Sequence, residues 1–69
     1  MLLAKKLAMD RGWSVSRLSR EAGLNQSSVH MIVSGRLKPY PHQAQALADA
    51  LEYLGDPAEL FVEVDDDRS

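Results

Sequence analysis

Cysteine is absent from this chain. Disulfides are thereby excluded, and so is any zinc site built on thiolates. Histidine is scarce: His30 and His42 are separated and do not make a metal site. No Ser or carboxylate is tied to either by a recognisable motif, and no glycine-rich loop is present to cradle a phosphate. An enzyme is therefore not expected, and neither is a cofactor or a small-molecule ligand. No apolar run approaches the roughly 20 residues that a membrane span requires. The opening Met1-Leu2-Leu3-Ala4-Lys5-Lys6 puts its charges after a very short apolar run, the reverse of a secretory signal. The expected location is the cytoplasm, with no membrane partner.

What is present is a small amount of chain with uneven charge. The 69 residues suffice for one domain, and a chain of this size buries only about 60% of its unfolded surface. Without a covalent staple, the fold must rest on compact helix packing or on self-association. The net charge of −2 conceals an asymmetry. Residues 1–42 carry seven cations (Lys5, Lys6, Arg11, Arg17, Arg20, Arg36, Lys38) against Asp10 and Glu21, a net of +5. Residues 43–69 carry Arg68 against eight acids, a net of −7. One face meeting an anion while another points away would produce this distribution.

Local signals predict an all-α bundle of about five short helices. The first covers residues 2–11, with Leu3 and Leu7 on one face, and Gly12 stops it. Ser14 is a good N-cap for a second helix over 15–22, and Trp13 and Leu18 are spaced as a hydrophobic staple. Gly23 ends that helix in a residue able to turn left-handed. Asn25 caps a third helix over 26–34, Leu24 and Val29 repeat the staple spacing, and Gly35 closes it. Pro39 and Pro41 interrupt helix in the next connection. A fourth helix over 42–54 lines up Ala44, Leu47, Ala48, Leu51 and Leu54. Asp56-Pro57-Ala58-Glu59 starts a fifth over 57–62, with Asp as cap, Pro in first position and Glu reaching back. Residues 61–64 have an extended segment as an alternative. The domain is drawn at 1–62, followed by an acidic tail at 63–69.

Two short helices joined by Gly23-Leu24-Asn25 suggest a helix-turn-helix over about 15–34. Leu18, Ala22, Leu24, Val29 and Ile32 suit inward positions, and Ser19 is small where the helices cross. At 100° per residue, Ile32 and Val33 fall beside Val29, while Ser27, Met31 and Ser34 point away and His30 flanks them.

"WSVSRLSREAGLNQSSVHMIVSGRLKP" and the following "QALADALEYLGDPAELF" resemble the lambda-repressor-like (Cro, XRE-type) helix-turn-helix family, over about residues 2–62. "LSREAGL" is also similar to the small Ner-like regulators of transposable phages. The resemblance implies a sequence-specific regulator of transcription, of the repressor kind, that binds double-stranded DNA as a homodimer and associates with the nucleoid when bound. It places residues 26–34 in the major groove. Gln26 and Ser27 match positions that touch base edges, and His30 and Met31 match the outer face of the reading helix. Ser28 and Ser34 belong to the same helix. Arg36 and Lys38 would grip phosphates just past it, with Arg20 adding charge. The family often has Gln where Val15 stands, holding a phosphate; here that contact falls to Ser14, Ser16, Arg17 or main-chain amides. Arg17 also has Glu21 four residues on, the spacing of a helical ion pair. A dimer must use the domain itself, and Leu54, Leu60, Phe61, Val62 and Val64 are the expected surplus of apolar surface. The rival expectation is a protein-interaction module that docks to a transposase, an ATPase or a toxin.

Overall fold

The computed structural model describes residues 1–64; the acidic run Asp65–Asp67 lies outside the described residues. The chain is a small all-α bundle. Its elements in order are α1 (Leu3–Asp10), α2 (Val15–Ala22), α3 (Gln26–Val33), α4 (Pro41–Ala50) and a 3₁₀ turn, Pro57–Phe61. Four α-helices thus stand where five were expected, and the fifth segment is the tighter helix. No strand is present among the described residues. A single antiparallel bridge joins Leu2 to Glu63, flanked by Leu3 N–H to Val62 O (3.1 Å) and Val64 N–H to Met1 O (2.8 Å). Residues 62–64 therefore take the extended alternative.

Capping chemistry sets most boundaries. The Ser14 hydroxyl accepts the Arg17 N–H at 3.1 Å. The Asn25 carboxamide oxygen accepts from Ser27 N–H (2.8 Å) and Ser28 N–H (3.3 Å). These bonds satisfy amide donors that a helix start otherwise leaves open. Gly23 ends α2 with φ of 70°, a region that a Cβ disfavours. The turn between α2 and α3 is only three residues long, and α2 packs against both α3 and α4. Pro41 is the first residue of α4 rather than a barrier before it, because its missing N–H costs nothing there. The Gln43 side chain reaches back to accept the Tyr40 N–H at 2.9 Å.

The core gathers Leu18 from α2, Val29, Ile32 and Val33 from α3, Leu47, Ala48 and Leu51 from α4 and its exit, and Ala4 and Ala8 from α1. Leu3 and Leu7 pack at its edge, half-buried. Each fully buried Leu, Ile or Val contributes about 1.5–3 kcal/mol relative to exposure. Ser19 is the buried polar residue among them, and its hydroxyl donates to the Ser16 carbonyl at 2.8 Å.

Three expectations are corrected. First, α4 stops at Ala50, so Leu54 leaves the face shared by Leu47 and Leu51 and is 99% exposed. The end is a left-handed turn at Glu52 (φ 54°), closed by Tyr53 N–H to the Ala48 carbonyl (2.9 Å) and Glu52 N–H to the Asp49 carbonyl (3.1 Å). Arg11 donates to the Leu51 carbonyl just inside it, at 2.7 Å. Second, Leu60 is not surplus surface but core, at 0% exposure. In a 3₁₀ turn residues three apart share a face, and Leu60 lies inward with the half-buried Pro57. Third, Glu59 does not reach back to the helix start. Its carboxylate accepts from the Tyr53 hydroxyl, while Asp56 alone caps Ala58 N–H at 3.0 Å. Phe61 and Val64 are half-buried, so Leu54 and Val62 are the members of the proposed dimer patch that stay exposed.

Candidate nucleic-acid interface

α3 buries Val29, Ile32 and Val33 and leaves its other side to solvent. Gln26, Ser27, His30 and Met31 line one shallow open concavity of about 500 Å³. All four are exposed. Ser28 lies between the two faces, half-buried, and does not line the concavity. Ser34 is the C-cap of α3, exposed, with its hydroxyl donating to the Met31 carbonyl at 3.1 Å. Its remaining capacity is to accept.

Gln26 is held by its neighbour helix. The Ser16 hydroxyl donates to Gln26 Oε1 at 3.3 Å. An amide oxygen has a second lone pair, so Gln26 retains one acceptor site and both amide hydrogens. This bond also sets the start of α2 against the start of α3, although Val15 itself is half-buried and packs on the core.

The exit from α3 folds back on its last turn. Arg36 N–H and Leu37 N–H both donate to the Met31 carbonyl, at 2.9 and 3.2 Å. Arg36 is thereby brought beside Met31 and is exposed. Lys38 is also exposed, but it stands at the rim of two other grooves rather than over the α3 concavity.

Ion pairing sorts the seven cations of the basic half. Lys6 pairs with Asp10 (3.3 Å), Arg11 with Glu52 (3.3 Å) and Arg17 with Glu21 (3.4 Å). Lys5, Arg20, Arg36 and Lys38 make no ion pair among the described residues. Arg11 and Arg17 also share an aromatic platform, with their guanidinium carbons 5.1 and 5.3 Å from the Trp13 ring.

Two features were not anticipated from sequence. One is an apolar groove of about 460 Å³ between the start of α4 and the 3₁₀ turn, lined by Lys38, Pro39, Pro41, Ala44, Pro57 and Phe61 among others. The other is Tyr40, 67% exposed and stacked on His42 with ring centroids 6.0 Å apart. The Pro39-Tyr40-Pro41 alternation is the signal for both, because prolines hold the connection extended and keep its side chains out.

No protein-family model matches the chain, and no significant match is found among curated proteins or among solved structures. The fold and the site together define a small all-α protein in which α3, joined to α2 by a three-residue turn, buries one side and presents a polar side to solvent. No helix among the described residues is long and apolar enough to cross a membrane, and no group of three His, Cys, Asp or Glu residues there is placed to hold a metal ion.

Proposed function

We propose that this chain binds double-stranded DNA by sequence, as a lambda-repressor-like regulator of transcription that lays α3 in the major groove. The observation that carries the reading is the gathering of Gln26, Ser27, His30 and Met31 around one open concavity, with the Arg36 main chain bonded back to Met31. Gln26 pairs with adenine through two hydrogen bonds, and Ser27 bonds to either donor or acceptor edges. His30 offers a donor and an acceptor, and Met31 meets a thymine methyl. Arg36, together with Ser14, Arg20 and Lys38, meets phosphates and fixes register without reading sequence. The protein works as a binding protein in the cytoplasm, on the nucleoid. It acts as a homodimer on two half-sites about one helical turn apart, with Leu54 and Val62 the exposed apolar side chains available for self-association.

The test is selection from a random duplex pool at moderate salt, followed by binding of variants to the enriched site. Gln26→Ala costs about 1–3 kcal/mol and relaxes preference at one base pair. Arg36→Ala weakens all duplexes alike and lowers the salt slope by about 0.9. A pool that stays unenriched refutes the reading.

A second reading is a docking module for a protein partner, such as a transposase, an ATPase or a toxin. The apolar groove beside Pro39, Pro41 and Phe61 favours it. Under that reading duplex binding is absent or weak, and substitutions at Gln26 and Arg36 have no effect on capture of the partner.

A further inference from the structure

Trp13 carries two guanidinium groups that are held differently. Arg11 is committed to the fold: it donates to the Leu51 carbonyl at 2.7 Å and to Glu52 at 3.3 Å. Arg17 makes no side-chain hydrogen bond among the described residues. Its Nε lies 3.4 Å from a Glu21 carboxylate oxygen, and its two terminal nitrogens have no described protein partner. About half of each side chain in this pair is open to solvent, 54% for Arg17 and 42% for Glu21. Its main chain is fixed, because the Arg17 N–H is the one that Ser14 caps. The adjoining Ser16 is bonded to Gln26, so the turn that carries Arg17 borders the α3 surface.

We propose that Arg17 is a stored phosphate contact. Glu21 and Trp13 hold its guanidinium at the start of α2, in the turn whose Ser16 is bonded to Gln26, and a DNA phosphate takes it over on binding. This rests on the DNA-binding reading above and adds, to the phosphate contact expected of Arg17, a competing role for Glu21 and a holding role for Trp13. An exposed ion pair four residues apart on a helix is weak, whereas an arginine–phosphate contact is charge-assisted and two-pronged. The exchange therefore runs toward the phosphate. Glu21 competes for the guanidinium and repels the backbone, so it limits affinity for every duplex irrespective of sequence. Trp13 is the chain's single tryptophan, so departure of Arg17 from its ring registers in its emission.

The test uses the full chain and a mixed-sequence duplex, read by salt-dependent binding and by Trp13 fluorescence. Glu21→Gln is expected to raise affinity about two- to fivefold. Arg17→Gln is expected to lower it, to reduce the salt slope by about 0.9, and to shrink the gain from Glu21→Gln when the two are combined. Duplex shifts Trp13 emission in the unaltered chain and not in Arg17→Gln. Both side chains are exposed, and circular dichroism of each variant checks that the helices persist. Duplex binding with unchanged emission and unchanged affinity in Glu21→Gln overturns this proposal while leaving DNA binding intact. Absence of duplex binding by the unaltered chain at low salt overturns both.

Discussion

Leu60 and Leu54 are chemically identical and separated by one short turn, yet they belong to opposite environments. Leu60 is fully buried in the 3₁₀ turn, which packs on α1 and α4, and Leu54 is 99% exposed. Truncating Leu60 to alanine removes the transfer free energy of its methyl groups and leaves a cavity. Leu→Ala changes at such sites cost about 2–5 kcal/mol, depending on how far the surroundings collapse. The 3₁₀ turn is anchored on both sides, by the Asp56 cap and by the bridge at Glu63, so collapse is limited. We expect a loss of about 3 kcal/mol for Leu60→Ala. A chain of this length has a total stability of roughly 3–10 kcal/mol, so the loss is a large share of it. Urea denaturation followed by helical circular dichroism measures it directly. With a slope of about 1 kcal/mol per M, the midpoint falls by roughly 3 M. Leu54→Ala, by contrast, should move the midpoint by less than about 0.5 M at a concentration where the chain is monomeric. Equal shifts for the two variants would refute the assignment of Leu60 to the core. A concentration-dependent effect confined to Leu54→Ala would instead locate self-association there.

Two further predictions rest on single contacts. Asn25→Ala removes the acceptor for two α3 amides and should cost about 1 kcal/mol, most of it recovered by Asn25→Ser; full stability in the alanine variant would mean that water caps this helix equally well. Tyr53 donates its hydroxyl to the Glu59 carboxylate, and that bond, aided by slight desolvation and by the negative charge of Glu59 and Asp56, raises the phenol pKa above its ordinary 10.0. The folded pKa exceeds the unfolded one, so the contribution to stability is whole below the ordinary phenol range and is lost as pH rises through the raised value. Ultraviolet difference titration should show Tyr53 ionising late, and Glu59→Gln should bring it earlier; an unaltered curve in that variant would sink the assignment.

The parts of the fold that were legible in the sequence are those decided within a few residues. Ser14, Asn25 and Asp56 cap the helices they were expected to cap, because an N-cap bond spans two or three positions. The inward set of α3 also follows from angular spacing alone. What escaped had no signal in the residue types themselves. The helical spacing of Leu47, Leu51 and Leu54 reads as one continuous face, but the chain turns left-handed at Glu52, where a glycine would have announced the turn. A five-residue 3₁₀ turn has period three and too few residues to display it, so Leu60 was indistinguishable from its exposed neighbour Val62. At the candidate site, the outward residues were legible as a surface. The bond from Ser16 to Gln26 was not, since it joins side chains that packing of two helices brings together, and the two guanidiniums on Trp13, though close in sequence, meet it across an irregular turn with no fixed period.

The antiparallel clasp between residues 1–3 and 62–64 has a bearing on how this chain folds. It closes a ring through nearly all the described residues, and the entropy lost in closing a loop grows with its length. The pairing of α2 with α3 needs closure of only a three-residue turn. Order of assembly follows: the helical pair with the candidate reading surface organises early, and the clasp fastens last. Opening runs in the other direction. Amide exchange at Leu3 and Val64 should outpace that at Val29 and Ile32, so a chain unlatched at its ends can keep α3 in place.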